Sequence, residues 1–440
     1  MLLYVLGVLI LLVGLAVSIG LHEVGHLLPA KLFGVKVTQY MIGFGKTVWS
    51  RRKGETEYGV KLIPLGGYVA MSGMFPPAKP GEKARDASTG FLDSMAQDAR
   101  EASAETIDEG EDRRTFYRLP VWKKIVIMLG GPVMNLVLAF VFFGIVLMGF
   151  GTAQYSTTLG YVSECILPAS SEQTECAASD PLAPAAEAGL KPGDRFLTID
   201  GVDITEWAQI GELVSAAPGR VLDVTVQRDG KTIETTMTPA ATERWVVDEQ
   251  GKQVLGANGE PLTTEVGMVG VTPTTEVVKQ PITAVPGFVA ENVVQTSQVI
   301  IGLPQRMVDI WHAAFGTEER DPNGPIGVVG VGRLAGEIVS LDEAPVAARA
   351  QMVLGLLGSL NIALFVFNLV PLMPLDGGHV AGALYEGVKR RLFKLFGKAD
   401  PGPVNTAKMV PVTFAVVIVL GAMSLLLLYA DIVKPVSLFG

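Results

Sequence analysis

Cysteine and histidine are rare in this sequence, which has 2 Cys and 4 His among its 440 residues. Two cysteines are too few for a disulfide-rich scaffold or for a zinc fold built on thiolates. Charged residues make up only 18%, and the formal net charge of −9 offers no basic face to phosphates, so we expect no nucleic-acid partner. Apolar residues are abundant instead: 49% of the chain is hydrophobic and its mean hydropathy is +0.39, which favours a membrane protein.

Four stretches without a charged residue are long enough to cross a bilayer, which takes about 20 helical residues. These stretches are residues 1–21, 125–150, 350–375 and 409–430. We interpret the first as a retained span rather than a cleaved signal peptide, because it lacks a basic start and a clear cleavage site of small residues. The sequence therefore predicts a multi-pass α-helical membrane protein with four transmembrane helices.

The distribution of Lys and Arg predicts the orientation of these helices, because basic loops tend to stay in the cytoplasm. Residues 31–124 contain 16 Lys and Arg and residues 385–410 contain 6, whereas residues 150–350 contain 12 against 27 Asp and Glu. We expect the first two segments inside, and residues 150–350 and both termini outside the plasma (inner) membrane. On that side Cys165 and Cys176 could form a local disulfide, although nothing in the sequence requires one.

The loops between the spans are of three kinds. Residues 34–75 alternate apolar and polar residues around glycines, which predicts short β-hairpins that either dip into the membrane from the cytoplasm or form a small peripheral sheet. Residues 76–115 are rich in Pro, Ala, Ser and acidic residues and predict a disordered cytoplasmic insert. Residues 157–272 combine turns, strands and one helix in an order that resembles a PDZ domain, which binds chain ends by strand addition. A generic αβ domain that only blocks access is the alternative.

The predicted organisation follows from these assignments. It comprises a first transmembrane helix at 1–33, the β-region at 34–75, the insert at 76–115, a second transmembrane helix at 120–151, the extracytoplasmic PDZ domain at 157–272, an amphipathic linker at 273–349, a third transmembrane helix at 350–387, a cytoplasmic loop at 388–408 and a fourth transmembrane helix at 409–431.

The most specific motif is His22-Glu23-Val24-Gly25-His26 at the end of the first predicted span. Positions i and i+4 lie on one face of a helix, so both imidazoles can bind one Zn²⁺ while Glu23 lies beside the attacking water. Three polar side chains at the end of an apolar helix are costly unless they have a function. We therefore predict His22 and His26 as metal ligands and Glu23 as the catalytic base.

A catalytic zinc needs a third protein ligand, and Asp376 is the only acidic residue between positions 350 and 385. In the predicted topology the first and third spans run in the same direction, so Asp376 can lie at the depth of the two histidines. Taken alone, an intramembrane Asp could equally serve a proton path or an ion site. Together with the histidine motif, it predicts one Zn²⁺ per chain, bound by His22, His26 and Asp376.

The histidine motif, the run NLVPLMPLDGG at 368–378 and the PDZ-like module between them resemble the site-2 proteases, which are intramembrane zinc metalloproteases. The sequence is most similar to bacterial, especially actinobacterial, members with a single PDZ domain that act in regulated intramembrane proteolysis. The resemblance covers nearly the whole chain outside the insert. It implies that residues 34–75 form a membrane-reentrant β-element.

The resemblance also implies which residues contact a substrate. The run Gly131-Pro132-Val133-Met134-Asn135 matches a family motif that would place Asn135 close to the substrate, and Asn368 would play a similar polar role. Together with the glycines in the β-region, it suggests that Asn135, Asn368 and the strand at Gly66 and Gly67 bind an unwound substrate backbone.

The implied function is zinc-dependent cleavage of peptide bonds in or near the membrane segment of single-pass proteins, with the active site toward the cytoplasm. Trimmed anti-sigma factors and signal-peptide remnants are the implied substrates, and the lipid bilayer is the other partner. Two other classes stay open: a metal or ion carrier and a catalytically inactive PDZ scaffold. The lack of an inverted repeat and the presence of Glu23 disfavour a carrier, and the intact histidine motif disfavours a scaffold.

Overall fold

The computed structural model describes residues 1–76, 103, 106–107, 112–167, 173, 176–177, 180–247, 253–256, 261–317, 319–321 and 324–436. Most of the predicted insert at 76–115 therefore lies outside the described residues. The chain forms two compact units, one of residues 1–150 and 280–440 (unit 1) and one of residues 151–279 (unit 2).

The helices and strands are labelled here in chain order. They are α1 (Leu2–Leu32), β1 (Val37–Lys53), β2 (Thr56–Met71), α2 (Val121–Gly144), β3 (Thr152–Val162), α3 (Pro184–Glu187), β4 (Arg195–Ile199), β5 (Val202–Asp203), α4 (Trp207–Ser215), β6 (Leu222–Arg228), β7 (Lys231–Met237), β8 (Ala240–Trp245), β9 (Thr263–Met268), β10 (Val271–Val278), α5 (Ala284–Ile301), α6 (Leu303–Phe315), α7 (Val328–Ser340), α8 (Val346–Asn368), α9 (Asp376–Leu395) and α10 (Val410–Val433).

Four helices of the described part are long and apolar enough to cross a membrane, as the sequence predicted. They cover Leu2–Leu32, Val121–Phe150, Val346–Asn368 and Val410–Val433. The second includes a wider helical turn at Ile145–Phe150 that extends α2. Their length and composition confirm the predicted spans, whereas the side of the membrane that each loop occupies stays a prediction.

The third span is shorter than the sequence predicted. Its assignment to one helix across 350–387 is wrong, because α8 ends at Asn368 and a separate helix, α9, begins at Asp376. Pro371 and Pro374 lie in the connection, and proline cannot donate the backbone hydrogen bond that would continue a helix. The break makes Asp376 the first residue of a new helix.

The β-region forms one antiparallel pair of long, irregular strands, β1 and β2. Because the ladder shifts register repeatedly, residues 39–42 of β1 pair with 67–70 on one side and with 57–60 on the other. The predicted β-structure of residues 34–75 is confirmed, and its insertion into a membrane stays a prediction.

Unit 2 is an αβ module built on a sheet with the strand order β10-β3-β4-β6-β7, to which β5 adds beside β4. Strands β8 and β9 form a separate ladder. The predicted strands and the helix between them are confirmed, and α4 buries Ile210 and Val214 against the core around Phe196. A disulfide joins Cys165 to Cys176, with 5.8 Å between their Cα atoms. The identification of unit 2 as a PDZ domain stays a prediction.

Candidate active site

The two histidines of the motif lie on one face of α1, as their spacing predicted. Their Nε2 atoms are 3.2 Å apart, and only 9% of His22 and 6% of His26 are exposed. Two imidazole nitrogens this close in a buried site repel or compete for one proton unless a shared cation binds both. The pair therefore has the geometry that two ligands of one metal ion would need.

Asp376 joins the two histidines from the N-terminus of α9. Its Oδ2 atom lies 3.3 Å from Nε2 of His22 and 3.3 Å from Nε2 of His26. The three ligand atoms all lie within 4.8 Å of one another. This Oδ2 is buried and has no hydrogen-bond partner among the described residues, which is the state of a carboxylate oxygen shaped to bind a cation. Two imidazoles and one carboxylate fit a catalytic zinc site, which uses three protein ligands.

The outer nitrogen of each imidazole contacts α2. The Nδ1–H group of His26 donates to the carbonyl oxygen of Ile127 at 2.8 Å. Nδ1 of His22 lies 3.0 Å from the amide nitrogen of Asn135, a side chain that is completely buried. Contacts of this kind orient metal-binding imidazoles, and neither could be located from the sequence because both cross between helices.

Glycines let α2 approach α1 closely enough for these contacts. A Cβ atom at Gly130 would collide with the carbonyl oxygen of Gly25, and one at Gly25 would collide with that of Gly130. Gly131 lies beside the ligands themselves, because a Cβ there would be 2.6 Å from Nε2 of His22 and closer still to Nε2 of His26. In the sequence Gly131 is only part of a motif, and its position against the candidate metal ligands is a feature that only the structure reveals.

Glu23 lies between the histidines and the β-region. A Cβ atom at Gly67 would be 2.9 Å from Cγ of Glu23 and 3.0 Å from the carbonyl oxygen of Met41. Gly66 has φ +116°, a conformation that side chains disfavour, and a Cβ there would strike the Phe44 ring. The two glycines therefore allow residues 66–67 of β2 to pass close to the acidic side chain of the motif.

The side chain of the remaining sequence-predicted residue, Asn368, bonds within its own helix. Its amide donates to the carbonyl oxygen of Leu364 at 3.0 Å. Another asparagine of α8, Asn361, crosses to α1 and donates to the hydroxyl of Ser18 at 3.0 Å, one helical turn before His22. Asn361 was not predicted as a site residue, although an Asn within an apolar span is a signal that the sequence offers.

A buried ion pair joins α9 to α2 beyond the site. The ammonium group of Lys124 lies 2.8 Å and 3.0 Å from the two carboxylate oxygens of Glu386, and Glu386 also accepts a hydrogen bond from the backbone N–H of Val404. Both side chains are almost fully buried. Because α9 begins at Asp376, this pair helps to hold the third candidate ligand in place.

Two histidines one helical turn apart, an adjacent glutamate and a distant aspartate define the class of metal-dependent hydrolases with an HExxH motif, and here the motif lies on a helix of membrane-spanning length. The chain matches the description "Peptidase family M50" over residues 10–399. It therefore belongs to peptidase family M50, the site-2 protease family, as its motifs predicted.

Proteins with similar sequences are named as metalloproteases. The chain is 31% identical to zinc metalloprotease Rip1 of Mycobacterium bovis over 443 residues, with 99% of each chain covered, and 31% identical to zinc metalloprotease Rip1 of Mycolicibacterium smegmatis over 447 residues, again with 99% of each covered. It is 29% identical to metalloprotease MmpA of Caulobacter vibrioides over 412 residues, covering 88% of this chain and 89% of that one. The protein is a zinc metalloendopeptidase of the membrane.

Proposed function

We propose that this protein is an intramembrane endopeptidase that cleaves single-pass membrane proteins in or near their membrane segments, with one zinc ion per chain. The observation that carries the proposal is the convergence of His22 and His26, on the apolar helix α1, with Asp376 at the start of α9, and with Glu23 on α1 beside them. Ligands buried among membrane-spanning helices favour a substrate that reaches them through the bilayer.

The residues divide the chemistry among them. His22, His26 and Asp376 hold the zinc, which when bound acts as a Lewis acid that polarises the scissile carbonyl and acidifies a water molecule. Glu23 takes a proton from the attacking water and returns it to the leaving amine. His22, His26 and Glu23 are buried, which limits the access of bulk water to the reaction.

A helical substrate must unwind before its peptide bonds become accessible, because its carbonyl groups are held in internal hydrogen bonds. Residues 67–70 of β2 support this step. They pair with β1 on one side only in the described part of the chain, and Gly67 adjoins Glu23. A substrate strand added to the free edge would bring its backbone to the acidic side chain. Gly66 and Gly67 are therefore proposed substrate-binding residues, and Asn368 lies at the end of a span where it can join them.

The substrates that we propose are single-span proteins already shortened by another protease, such as trimmed anti-sigma factors, and signal-peptide remnants. The metal or ion carrier that the sequence left open finds no support, because the relatives are named as metalloproteases. An inactive scaffold is disfavoured because the four residues proposed for catalysis are all present and close together.

Glu23→Gln should separate zinc binding from cleavage. The amide cannot take the proton from water, so cleavage of a single-span substrate should fall by at least about 100-fold, while zinc content stays at one per chain. His22→Ala should lose both zinc and cleavage. The matched control is His312→Ala, which removes an exposed histidine of α6 and should change neither. The purified full-length protein in detergent, assayed with and without a chelator, provides the measurement.

Two results would contradict the proposal. Cleavage by the Glu23→Gln protein at the wild-type rate would mean that another group is the base. Cleavage by the wild-type protein that persists after complete removal of zinc would mean that the metal is not part of the reaction.

We also propose that the active site lies toward the cytoplasm and that unit 2 lies outside, as a PDZ domain. The support is the excess of Lys and Arg in residues 31–124 and 385–410. In intact spheroplasts an impermeant thiol reagent should label Thr232→Cys, an exposed position of β7. It should label Ala399→Cys, exposed after α9, only once the membrane is permeabilised. Labelling of Ala399→Cys in intact spheroplasts would reverse the orientation.

A further inference from the structure

Asn135 is an α2 residue whose side chain reaches the imidazole of a proposed metal ligand. Its amide nitrogen is 3.0 Å from Nδ1 of His22, and its side chain is 0% exposed. The resemblance to site-2 proteases implied a substrate contact for this residue. Its position next to Nδ1 of His22 instead indicates a hydrogen bond to this imidazole.

The ring nitrogens of His22 have different tasks. Nε2 faces the other candidate ligands, at 3.3 Å from Asp376 and 3.2 Å from His26, so it is the atom that would bind the metal. A neutral imidazole that binds a metal through Nε2 carries its proton on Nδ1. His26 shows the arrangement, because its Nδ1 contacts the carbonyl oxygen of Ile127, a group that can only accept a hydrogen bond. Nδ1–H of His22 needs an acceptor in the same way.

The amide of Asn135 can provide that acceptor once its two terminal atoms exchange places. As placed, its Nδ2 faces His22, and its Oδ1 is buried without a hydrogen-bond partner among the described residues. The oxygen and nitrogen of an amide are nearly identical in shape, and their assignment follows from the hydrogen bonds they can make. The exchange moves Nδ2 to the buried position of Oδ1, so one amide atom has no protein partner in either orientation. Because Nδ1–H of His22 needs an acceptor, the favoured orientation of the amide is the one in which Oδ1 faces His22.

We propose that Oδ1 of Asn135 accepts a hydrogen bond from Nδ1–H of His22 and thereby fixes the tautomer and the ring orientation of this metal ligand. Asn135 is then a positioning residue, which acts through His22 and need not touch the substrate. The inference rests on the part of the proposed function that makes His22 a zinc ligand. Residues that orient ligands in this way typically change metal affinity by about 10- to 100-fold when they are replaced.

Three variants of the full-length protein test this role by zinc affinity, measured in detergent by competition with a chromophoric chelator. Asn135→Leu keeps a similar size but removes the acceptor, so its zinc affinity should fall by about 10- to 100-fold. Asn135→Asp keeps an acceptor and should retain an affinity close to that of the wild type. Asn361→Leu is the matched control, because Asn361 is equally buried but contacts Ser18 instead of a ligand, and its zinc affinity should not change.

The absorption spectrum of the Co²⁺-loaded proteins gives a second readout. It reports the ligand geometry directly, so it should change in Asn135→Leu and stay unchanged in Asn361→Leu and Asn135→Asp. If Asn135→Leu does not fold, the comparison of Asn135→Asp with the wild type still decides, because a carboxylate cannot replace an amide that donates to Nδ1.

The outcomes separate this inference from the proposed function. Wild-type zinc affinity in Asn135→Leu would overturn the inference, and a raised KM in that variant would then assign Asn135 to the substrate. Weak zinc binding by folded Asn135→Asp would overturn it as well, because the amide would then act as a donor. A wild-type protein that binds zinc but cleaves no single-span substrate would defeat the proposed function and leave the role of Asn135 intact.

Discussion

At the scale of single residues, the candidate metal site depends on the absence of a side chain at Gly131. The imidazoles of His22 and His26 approach the Cα atom of Gly131 so closely that a methyl group there would meet both Nε2 atoms. These are the atoms that we propose as zinc ligands. The site therefore requires glycine at this position for steric reasons, independently of backbone conformation.

Gly131→Ala should lower zinc affinity by at least about tenfold and reduce cleavage in parallel, because the added methyl group displaces the two imidazoles. Gly144→Ala is the control on the same helix, since a Cβ there would meet nothing within 4 Å. Chelator competition and a cleavage assay on both proteins provide the measurement. Equal zinc affinity in the two variants would mean that the imidazoles can shift at no cost and that Gly131 does not shape the site.

The sequence alone was enough to identify the four residues that we propose for the chemistry. His22, Glu23 and His26 follow from a motif whose spacing places both imidazoles on one face of a helix, and Asp376 follows from being the only acidic residue between positions 350 and 385. The contacts of Ile127, Asn135 and Asn361 were out of reach, because they depend on which faces of separate helices meet. Sequence periodicity predicts an apolar face, but it does not pair that face with another.

At the scale of elements, the sequence did not predict the break between α8 and α9 correctly. Pro371 and Pro374 disfavour a continuous helix, yet the predicted third span extends to residue 387. The point at which helix resumes depends on tertiary contacts, among them the buried pair of Lys124 and Glu386 that joins α2 to α9. The break matters for function, because it places Asp376 at a helix start and not in the middle of an apolar span.

In contrast to the break after α8, a turn in unit 2 is predictable from residues that are close together in the sequence. Gly189, Pro192 and Gly193 predict a turn in residues 188–194. Asp194 stabilises this turn by accepting hydrogen bonds from the backbone N–H of Lys191 and from the Arg228 side chain. Burial alone would raise the pKa of the Asp194 carboxyl, but the hydrogen bonds to Arg228 and Lys191 outweigh it and keep the pKa below its usual value. Local residues determine a turn, and the distant Arg228 then stabilises it.

At the scale of the whole molecule, unit 2 is an insertion into the chain of unit 1. The backbone N–H of Gln280 donates to the carbonyl oxygen of Leu147 at 2.9 Å, so the chain leaves and re-enters unit 1 at neighbouring points. Thr152 and Val278 likewise pair where unit 2 begins and ends. Every residue that we propose for catalysis belongs to unit 1. Unit 2 therefore has no chemical part in the proposed reaction, and its proposed role is to control which substrates reach the site.

Deletion of 151–279, with a short Gly/Ser linker joining residues 150 and 280, should keep zinc binding and the cleavage of a substrate already trimmed to a single span. We also expect the deletion variant to cleave the same substrate when it carries a bulky outer domain. The protein with unit 2 should not cleave that substrate, because we propose that unit 2 prevents large outer domains from reaching the site. The measurement compares the two cleavage rates in both proteins, with zinc content and thermal unfolding as checks on folding. A folded, zinc-loaded deletion protein that cannot cut even the trimmed substrate would show that unit 2 takes part directly in the reaction.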